Sequence, residues 1–198
     1  MNRSNDAARE ADPLAALRAA TASRHDTLDS GLPIGAPDAS LQDYARHLRM
    51  LQAWLTPLQA WLAGFDDGPR FDHAQRLALI DADLRDPGMP DASAIVPSVV
   101  PAAAPSPWPR NASPAWRWGV SYVIEGSQLG GAVLYQRLAG QLAPHPLRYL
   151  KGDDAGPGPR WRAFMQALRA NVTTPAEIAE ACAGACAAFD SILALRAR

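Results

Sequence analysis

Residues 118–138, Trp-Gly-Val-Ser-Tyr-Val-Ile-Glu-Gly-Ser-Gln-Leu-Gly-Gly-Ala-Val-Leu-Tyr-Gln-Arg-Leu, have the length and apolar content of a helix but include four glycines, Gly119, Gly126, Gly130 and Gly131. Each glycine in a helix interior costs about 1 kcal/mol relative to alanine, so the last three cost about 3 kcal/mol together. A helix keeps such glycines where a neighbour comes too close for side chains, or where the backbone must bend. That neighbour is either another helix or a flat ligand.

Composition indicates a soluble, single-domain protein. The chain has 198 residues, a formal net charge of −1 and a pI near 6.4, which gives no electrostatic reason to expect nucleic acid or an anionic membrane as a partner. Its two cysteines cannot form a disulfide framework, which fits a reducing compartment. The N-terminus lacks the apolar run of a secretory signal, and we find no uncharged segment of about 18 apolar residues. We therefore expect a cytoplasmic location.

The first predicted helix begins after a polar stretch, residues 1–11, that we expect to be a flexible tail. Asp12 is placed to cap this helix, with Pro13 at its first position. Residues spaced three and four apart then form one stripe that we expect to face the core, namely Leu14, Leu17, Thr21, His25 and Leu28.

The rest of the chain also predicts helices, and no alternating strand pattern or internal repeat is present. Ser40 and Asp43 form a weak capping box, and Pro57 should kink or divide the helix that follows. A proline-rich loop is expected over 87–114, with packing residues Ile95, Val96, Val99 and Val100. Further helices are predicted at about 70–86, 113–141, 159–171 and 174–195. The predicted fold is all-α, as one domain over residues 12–198.

His25 is the first residue that could carry chemistry. On periodicity alone, a single histidine on an apolar stripe is typical of a satisfied core or helix-boundary residue. The functional alternative is a buried neutral imidazole that binds iron through one free nitrogen. Asp29, one turn later, is placed to accept a hydrogen bond from the other nitrogen. None of the other histidines, His47, His73 and His145, has a zinc-ligand spacing.

Two further patterns have simple structural interpretations. Cys182 and Cys186 lie one turn apart and are typical of small buried residues on an amphipathic helix, although the spacing could bind a soft metal. The Gly126-x-x-x-Gly130 spacing is typical of close helix contact, and no acidic partner for Glu125 is evident nearby.

Two of these stretches together resemble one family. Residues 17–29, Leu-Arg-Ala-Ala-Thr-Ala-Ser-Arg-His-Asp-Thr-Leu-Asp, resemble the proximal helix of haem oxygenases. Residues 122–131, Tyr-Val-Ile-Glu-Gly-Ser-Gln-Leu-Gly-Gly, resemble their distal helix, in the form found in bacterial enzymes associated with bacteriophytochromes. Asp83-Leu84 and residues 161–164, Trp-Arg-Ala-Phe, also fit the bacterial pattern. The resemblance covers roughly residues 14–195.

The resemblance implies an enzyme that cleaves haem b with O2 and electrons to biliverdin, Fe2+ and CO. It implies that His25 is the axial iron ligand. It also implies that haem lies between the proximal and distal helices, where the distal glycines leave room for O2. The implied catalytic residues are Gly126, Ser127 and Gly130, and the implied haem-binding residues are His25, Arg24, Asp29, Tyr122, Gly126, Gly130 and Gly131. Ser127 stands where animal enzymes carry an aspartate that organises a proton-donating water.

The resemblance also implies partners and leaves alternatives. The electron donor would be a ferredoxin or flavodoxin with its reductase, or ascorbate, and a bacteriophytochrome would receive the biliverdin. Haem propionates need cationic or phenolic partners, for which the candidates are Arg18, Arg24, Tyr122, Arg137, Lys151 and Arg160. The alternatives are a protein of this fold that stores or senses haem without degrading it, and a thiaminase-like enzyme with a nucleophilic cysteine.

Overall fold

The computed structural model describes residues 12–69, 74–90 and 108–196, which contain seven α-helices, one short 3-10 helix and no strand. The all-α prediction is confirmed. The predicted tail at 1–11 and the packing of residues 95–100 lie outside the described residues. The elements are α1 Pro13–Asp29, the 3-10 helix Pro33–Gly35, α2 Leu41–Leu62, α3 Ala74–Leu84, α4 Pro114–Leu138, α5 Arg148–Lys151, α6 Gly158–Asn171 and α7 Pro175–Arg196.

Side-chain caps fix where the long helices begin. Asp12 accepts a hydrogen bond from a backbone N–H of the first turn of α1. Ser40 and Asp43 form a complete capping box, because the Asp43 carboxylate accepts from the Ser40 N–H at 2.9 Å while the Ser40 hydroxyl accepts from the Asp43 N–H at 3.2 Å. Glu177 accepts from the Thr174 N–H at 2.9 Å at the start of α7. The capping signals in the sequence therefore place these starts correctly.

The predicted division of the second helix at Pro57 is wrong, because α2 runs unbroken through it. Pro57 and Ala53, whose carbonyl loses its helical partner, are both exposed, so water can satisfy that carbonyl. Trp54, Leu55 and Leu58 are buried on the opposite side and hold both halves of the helix against the core.

Helix α3 buries charged side chains beside its apolar ones. Leu77 and Leu84 are half-buried and pack against the core, whereas Arg76, Ile80 and Asp83 are buried. These three are spaced i, i+4 and i+7 on one side of the helix. The buried face of α3 therefore carries two charged side chains, and both pair with other helices.

Helix α7 is the element on which α1, α2 and α4 pack. Its closest neighbour is α4, through two glycines. A Cβ atom at Gly119 would overlap the carbonyl oxygen of Ala181, and one at Gly184 would overlap the carbonyl oxygen of Trp116. The two backbones are therefore in direct contact. This accounts for Gly119 as a helix-packing glycine.

By length and composition, α7 could also cross a membrane, which the sequence reading overlooked. Its inner face is nevertheless part of the core, since Ala181, Ala185, Ala188 and Phe189 are buried. The core helix of a globular protein passes the same test, so the composition of α7 does not indicate a membrane protein.

We expect Gly119→Ala to lower the free energy of unfolding by about 3 kcal/mol or more, because the added methyl group must push α4 and α7 apart. Urea denaturation of the ligand-free protein measures this. Gly140→Ala is the control, since a Cβ atom there has no neighbour within 4 Å. Equal unfolding midpoints for the two variants would contradict the close contact between the helices.

Candidate functional site

The later glycines of α4 differ from Gly119 in what surrounds them. Among residues 12–69, 74–90 and 108–196, a Cβ atom at Gly130 would have no neighbour within 4 Å, and one at Gly126 would meet only the Trp161 ring, at 3.8 Å. Val133, whose side-chain direction lies within about 60° of both at 100° per residue, is 68% exposed. We call Gly126, Gly130 and Val133 the open side of α4. No group of the described residues requires glycine there, so packing within the described part of the chain does not explain these two glycines.

Gly131 does not belong to the open side. It is buried, and a Cβ atom there would lie 3.8 Å from the Leu150 side chain of α5.

The prediction that His25 is buried is wrong. Its side chain is 60% exposed, although Leu14, Leu17 and Thr21 of the same stripe are buried. The ring makes an edge contact with Phe189 of α7, with centroids 6.0 Å apart. Periodicity places a residue on a face of a helix but does not show where the neighbouring helix stops covering that face.

Asp29 lies where the sequence predicted an acceptor for His25. The His25 Nδ1 atom and the Asp29 Oδ2 atom are 3.2 Å apart. With Nδ1 as the donor in this contact, the neutral ring has its lone pair on Nε2. In the described part of the chain Nε2 has no hydrogen-bond partner, and so it is available to a ligand.

Helices α1 and α4 meet at Tyr122. Burial raises the pKa of its phenol, and the neighbouring side chains of Arg18 and Thr21 partly oppose that effect. His25 lies one helical turn after Thr21, and Gly126 lies one helical turn after Tyr122. Arg18 is exposed and forms no ion pair within the described ranges, so its guanidinium can accept an anion.

The other predicted cationic candidates already have partners. Each contacts an acidic side chain or a carbonyl: Arg24 with Asp190 at 2.7 Å, Arg137 with the carbonyls of Ile34 at 2.6 Å and Gly35 at 3.0 Å, Lys151 with Asp154 at 3.2 Å, and Arg160 with Glu125 at 2.8 Å.

Glu125, directly before Gly126, is buried between two arginines. Its carboxylate accepts from Arg76 at 2.6 Å and from Arg160 at 2.8 and 2.9 Å, and Arg76 also donates to the Ile124 carbonyl at 2.8 Å. Arg76 is 6% exposed and was missed from the sequence. The signal for its burial in the sequence is that Arg76, Ile80 and Asp83 recur at helical spacing on one face. These ion pairs fix α4 to α3 and α6 at the turn that also carries Gly126. They lie on a different side of α4 from its open side.

Ser127 bonds within α4, whereas Gln128 bonds to Tyr149 of α5. The Ser127 hydroxyl donates to the Ile124 carbonyl at 2.8 Å, and the Gln128 amide donates to the Tyr149 hydroxyl at 2.9 Å. Burial raises the pKa of Tyr149, while the positive charge of Arg76 and the hydrogen bond from Gln128 partly oppose that effect. The phenol therefore stays protonated at neutral pH.

The cysteines do not form a reactive site. Both are half-buried, and burial raises the pKa of Cys182, which disfavours the thiolate that a thiaminase-like mechanism needs. Among the described residues no group of three or more His, Cys, Asp or Glu side chains could hold a metal ion. His145 is buried and His47 is half-buried, while His73 lies outside the described residues.

Comparison with known proteins identifies the family. The sequence model described as "Heme oxygenase" matches residues 12–196. The chain belongs to the haem oxygenase family. A "Heme oxygenase" of Xanthomonas campestris pv. campestris is 36% identical over 154 residues, which cover 77% of this chain and 85% of the relative. The NO- and CO-bound heme oxygenase of Neisseria meningitidis has a similar structure, with a TM-score of 0.64 and 26% identity over 91% of this chain and 87% of that one. The resemblance to bacterial haem oxygenases is thereby confirmed.

The described residues fit a haem group. His25 offers a free imidazole nitrogen, the open side of α4 offers an apolar wall without side chains at two positions, and Arg18 with Tyr122 offers a cation and a phenol.

We expect Gly130→Ala to raise the free energy of unfolding of the ligand-free protein by about 1 kcal/mol, because alanine is the better helix former and its methyl group meets no atom. Urea denaturation checks this beside Gly119→Ala, which should change stability in the opposite direction. A loss of stability at Gly130 would mean that a neighbour does pack on the open side.

Proposed function

We propose that the protein is a haem oxygenase that binds haem b through His25 and cleaves it, with O2 and electrons, to biliverdin, Fe2+ and CO. The exposed His25, in a chain of this family, is the observation that carries the proposal. An imidazole with its Nδ1 atom 3.2 Å from the Asp29 carboxylate, and with no hydrogen-bond partner at Nε2 among the described residues, has the arrangement of a metal ligand supported by a carboxylate.

The chemistry that haem supplies when bound is the reduction of O2 next to the porphyrin edge that is oxidised. The chain supplies position and space. His25 provides a neutral nitrogen ligand rather than a thiolate. Asp29 holds the imidazole in one tautomer and orientation. Gly126 and Gly130 leave the volume of two side chains free for a small ligand. Ser127 stands beside this space, where it can hold a water molecule.

We propose Arg18 and Tyr122 as the partners of the haem propionates. Of the candidate cations, Arg18 is the one that forms no ion pair within the described residues, and it lies near the Tyr122 phenol. A cation with a neighbouring hydroxyl donor suits a carboxylate. Arg24 and Gly131 are left out of the proposed site, because Arg24 is paired with Asp190 and Gly131 faces Leu150.

The proposed setting is the cytoplasm, with electrons from a ferredoxin or flavodoxin and its reductase, or from ascorbate. A bacteriophytochrome is the proposed recipient of biliverdin, on the strength of the distal-helix form at residues 122–131.

The decisive experiment is anaerobic reconstitution with haem, followed by O2 and reductant. We expect one haem per chain, loss of the Soret band on turnover, and biliverdin among the products. Tight binding with a persistent Soret band would instead indicate the haem-storing or haem-sensing alternative.

His25→Ala should abolish the ferric spectrum of the histidine-ligated complex, because no other histidine of the described residues is both exposed and close to α4. Absorbance titration with haem, followed by imidazole addition to restore a nitrogen ligand, measures this. His145→Ala is the control and should leave the spectrum unchanged. An unchanged ferric spectrum for His25→Ala would show that the ligand assignment is wrong.

Arg18→Ala should weaken haem binding roughly tenfold and change the proportions of biliverdin isomers, because propionate contacts fix how haem is rotated about the iron ligand. Titration and chromatographic separation of the products measure the two effects. Lys151→Ala is the matched control, since Lys151 is paired with Asp154. If Lys151→Ala alone changed the isomer ratio, Arg18 would not be the anchor.

A further inference from the structure

We infer that Trp161 is a specificity-determining residue for haem cleavage, because its indole ring closes the Gly126 end of the open side of α4 and leaves the Gly130 end free. The inference rests on the proposed function and adds to it a side chain of α6, outside the two helices that contact haem. It concerns which part of a bound haem O2 can reach, and therefore which biliverdin isomer is formed.

The indole ring of Trp161 lies at one end of the open side. A Cβ atom at Gly126 would lie 3.8 Å from Cη2 and 3.9 Å from Cζ3 of this ring, which is ordinary van der Waals contact. The ring also contacts Tyr122, with centroids 5.7 Å apart. By contrast, a Cβ atom at Gly130 would meet no described residue within 4 Å.

These contacts make the open side asymmetric. Tyr122, Gly126 and Gly130 follow one another at intervals of one helical turn, about 6 Å along α4. The Trp161 ring covers the first two of these turns and not the third. A small ligand beside α4 therefore meets a gap about one methyl group wide at Gly126, and free space at Gly130.

The Trp161 ring is held in place by aromatic packing. It stacks on Phe164, one turn later in α6, with centroids 5.6 Å apart and the ring planes 17° apart. Phe164 is fully buried and packs in turn on Trp118 of α4, with centroids 5.6 Å apart. Turning the Trp161 ring away from Gly126 would break this stack, so the ring is a fixed boundary rather than a mobile one.

An ion pair sets the distance between the ring and α4. Arg160, directly before Trp161, donates to Glu125, directly before Gly126, through two hydrogen bonds of 2.8 and 2.9 Å. Glu125 is buried and also accepts from Arg76 at 2.6 Å. The first turn of α6 is thus bonded to α4 at the turn where the ring faces Gly126, and the width of the gap is fixed by the fold.

A boundary on one side gives the reaction a direction. Arg18 and Tyr122 are proposed to set how haem is rotated, whereas Trp161 sets which sector of that haem is open to O2. The sector beneath the ring is closed, and the sector beneath Gly130 is accessible. Shortening the ring opens the closed sector, so a second biliverdin isomer should then form.

The test compares the haem complexes of the unaltered protein and Trp161→Phe. Phenylalanine keeps a ring that can stack on Phe164 but lacks the outer edge of the indole, Cη2 and Cζ3, which lies nearest Gly126. The first readout is the ratio of the dissociation constants of n-butyl and methyl isocyanide on the ferrous complex. The second is the proportion of biliverdin isomers, separated by chromatography.

We expect Trp161→Phe to tighten n-butyl isocyanide binding about tenfold relative to methyl isocyanide, the size of effect that one methylene group has in an apolar pocket. The share of minor biliverdin isomers should rise with it. Both isocyanides bind the same iron, so a change in iron ligation or in overall stability cancels in their ratio.

Trp116→Phe is the matched control. Trp116 is also half-buried and packs on another aromatic ring, that of Trp61, with centroids 5.6 Å apart. It lies ten residues before Gly126, about 15 Å away along α4. This variant should change neither readout.

A second variant covers the case in which Trp161→Phe does not fold. Arg160→Gln weakens the tie between α6 and α4 while Glu125 keeps its bond to Arg76. It should move both readouts in the same direction as Trp161→Phe, by a smaller amount.

Three results would overturn the inference: an unchanged isocyanide ratio in Trp161→Phe, an equal change in Trp116→Phe, or a changed isocyanide ratio with unaltered isomer proportions. The last would mean that the ring limits space without directing the reaction. Failure of the unaltered protein to bind haem or to lose the Soret band would instead overturn the proposed function, so the two failures are distinguishable.

Discussion

The direct backbone contact between α4 and α7 is the constraint on which the rest of the structure depends. Gly119 and Gly184 allow the helices to touch, and this fixes the first half of α4 on the core. Because α1 packs on the same helix α7, its position relative to α4 is set through α7 rather than by broad contact between the two. Beyond the Tyr122 contact, this arrangement leaves a space between α1 and α4, next to His25 and Gly126.

The second half of α4 is bonded to other elements on one side, while its open side is not packed against any described residue that requires glycine. Behind the Gly126 turn, Glu125 is paired with two arginines from other helices, and such a buried group is costly to disturb once formed. Near the C-terminus, Arg137 ties the helix to two carbonyls of the 3-10 helix. Between these anchors, Gly126 and Gly130 have no packing partner among the described residues that requires glycine. The bonds of Glu125 and Arg137 therefore hold α4 in place, and the open side between them is accessible to a ligand.

Much of the fold could be predicted because its signals are local. Caps such as Asp12 and the Ser40–Asp43 pair mark helix starts within a few residues, and the glycine-bearing helix is recognisable from its own sequence. Pro57 shows the limit of such reasoning, since a proline breaks a helix only where tertiary packing does not hold both halves. The exposed position of the Pro57 turn is a property of the folded chain.

The site was less predictable because it depends on contacts across long sequence separations. The glycines of α4 look alike in sequence, yet Gly119 faces another backbone while Gly130 faces open space. The exposure of His25 depends on where α7 ceases to cover α1. The partners of Glu125, Arg76 and Arg160, come from two other helices, so these hydrogen bonds have no local signature. The periodicity of one sequence shows which residues share a face of a helix. What packs on that face is determined by residues far away in the sequence.

The bare front of α4 also has a thermodynamic consequence. A ligand that occupies it binds the folded chain and not the unfolded one, so it adds RT ln(1 + [L]/Kd) to the free energy of unfolding, about 2.7 kcal/mol at a hundredfold excess over Kd. In the ligand-free chain, Gly126, Gly130 and Gly131 together lower the stability of the helix by a similar amount, about 3 kcal/mol. With haem as that ligand, the conformational stability of the enzyme would rise and fall with the supply of its own substrate.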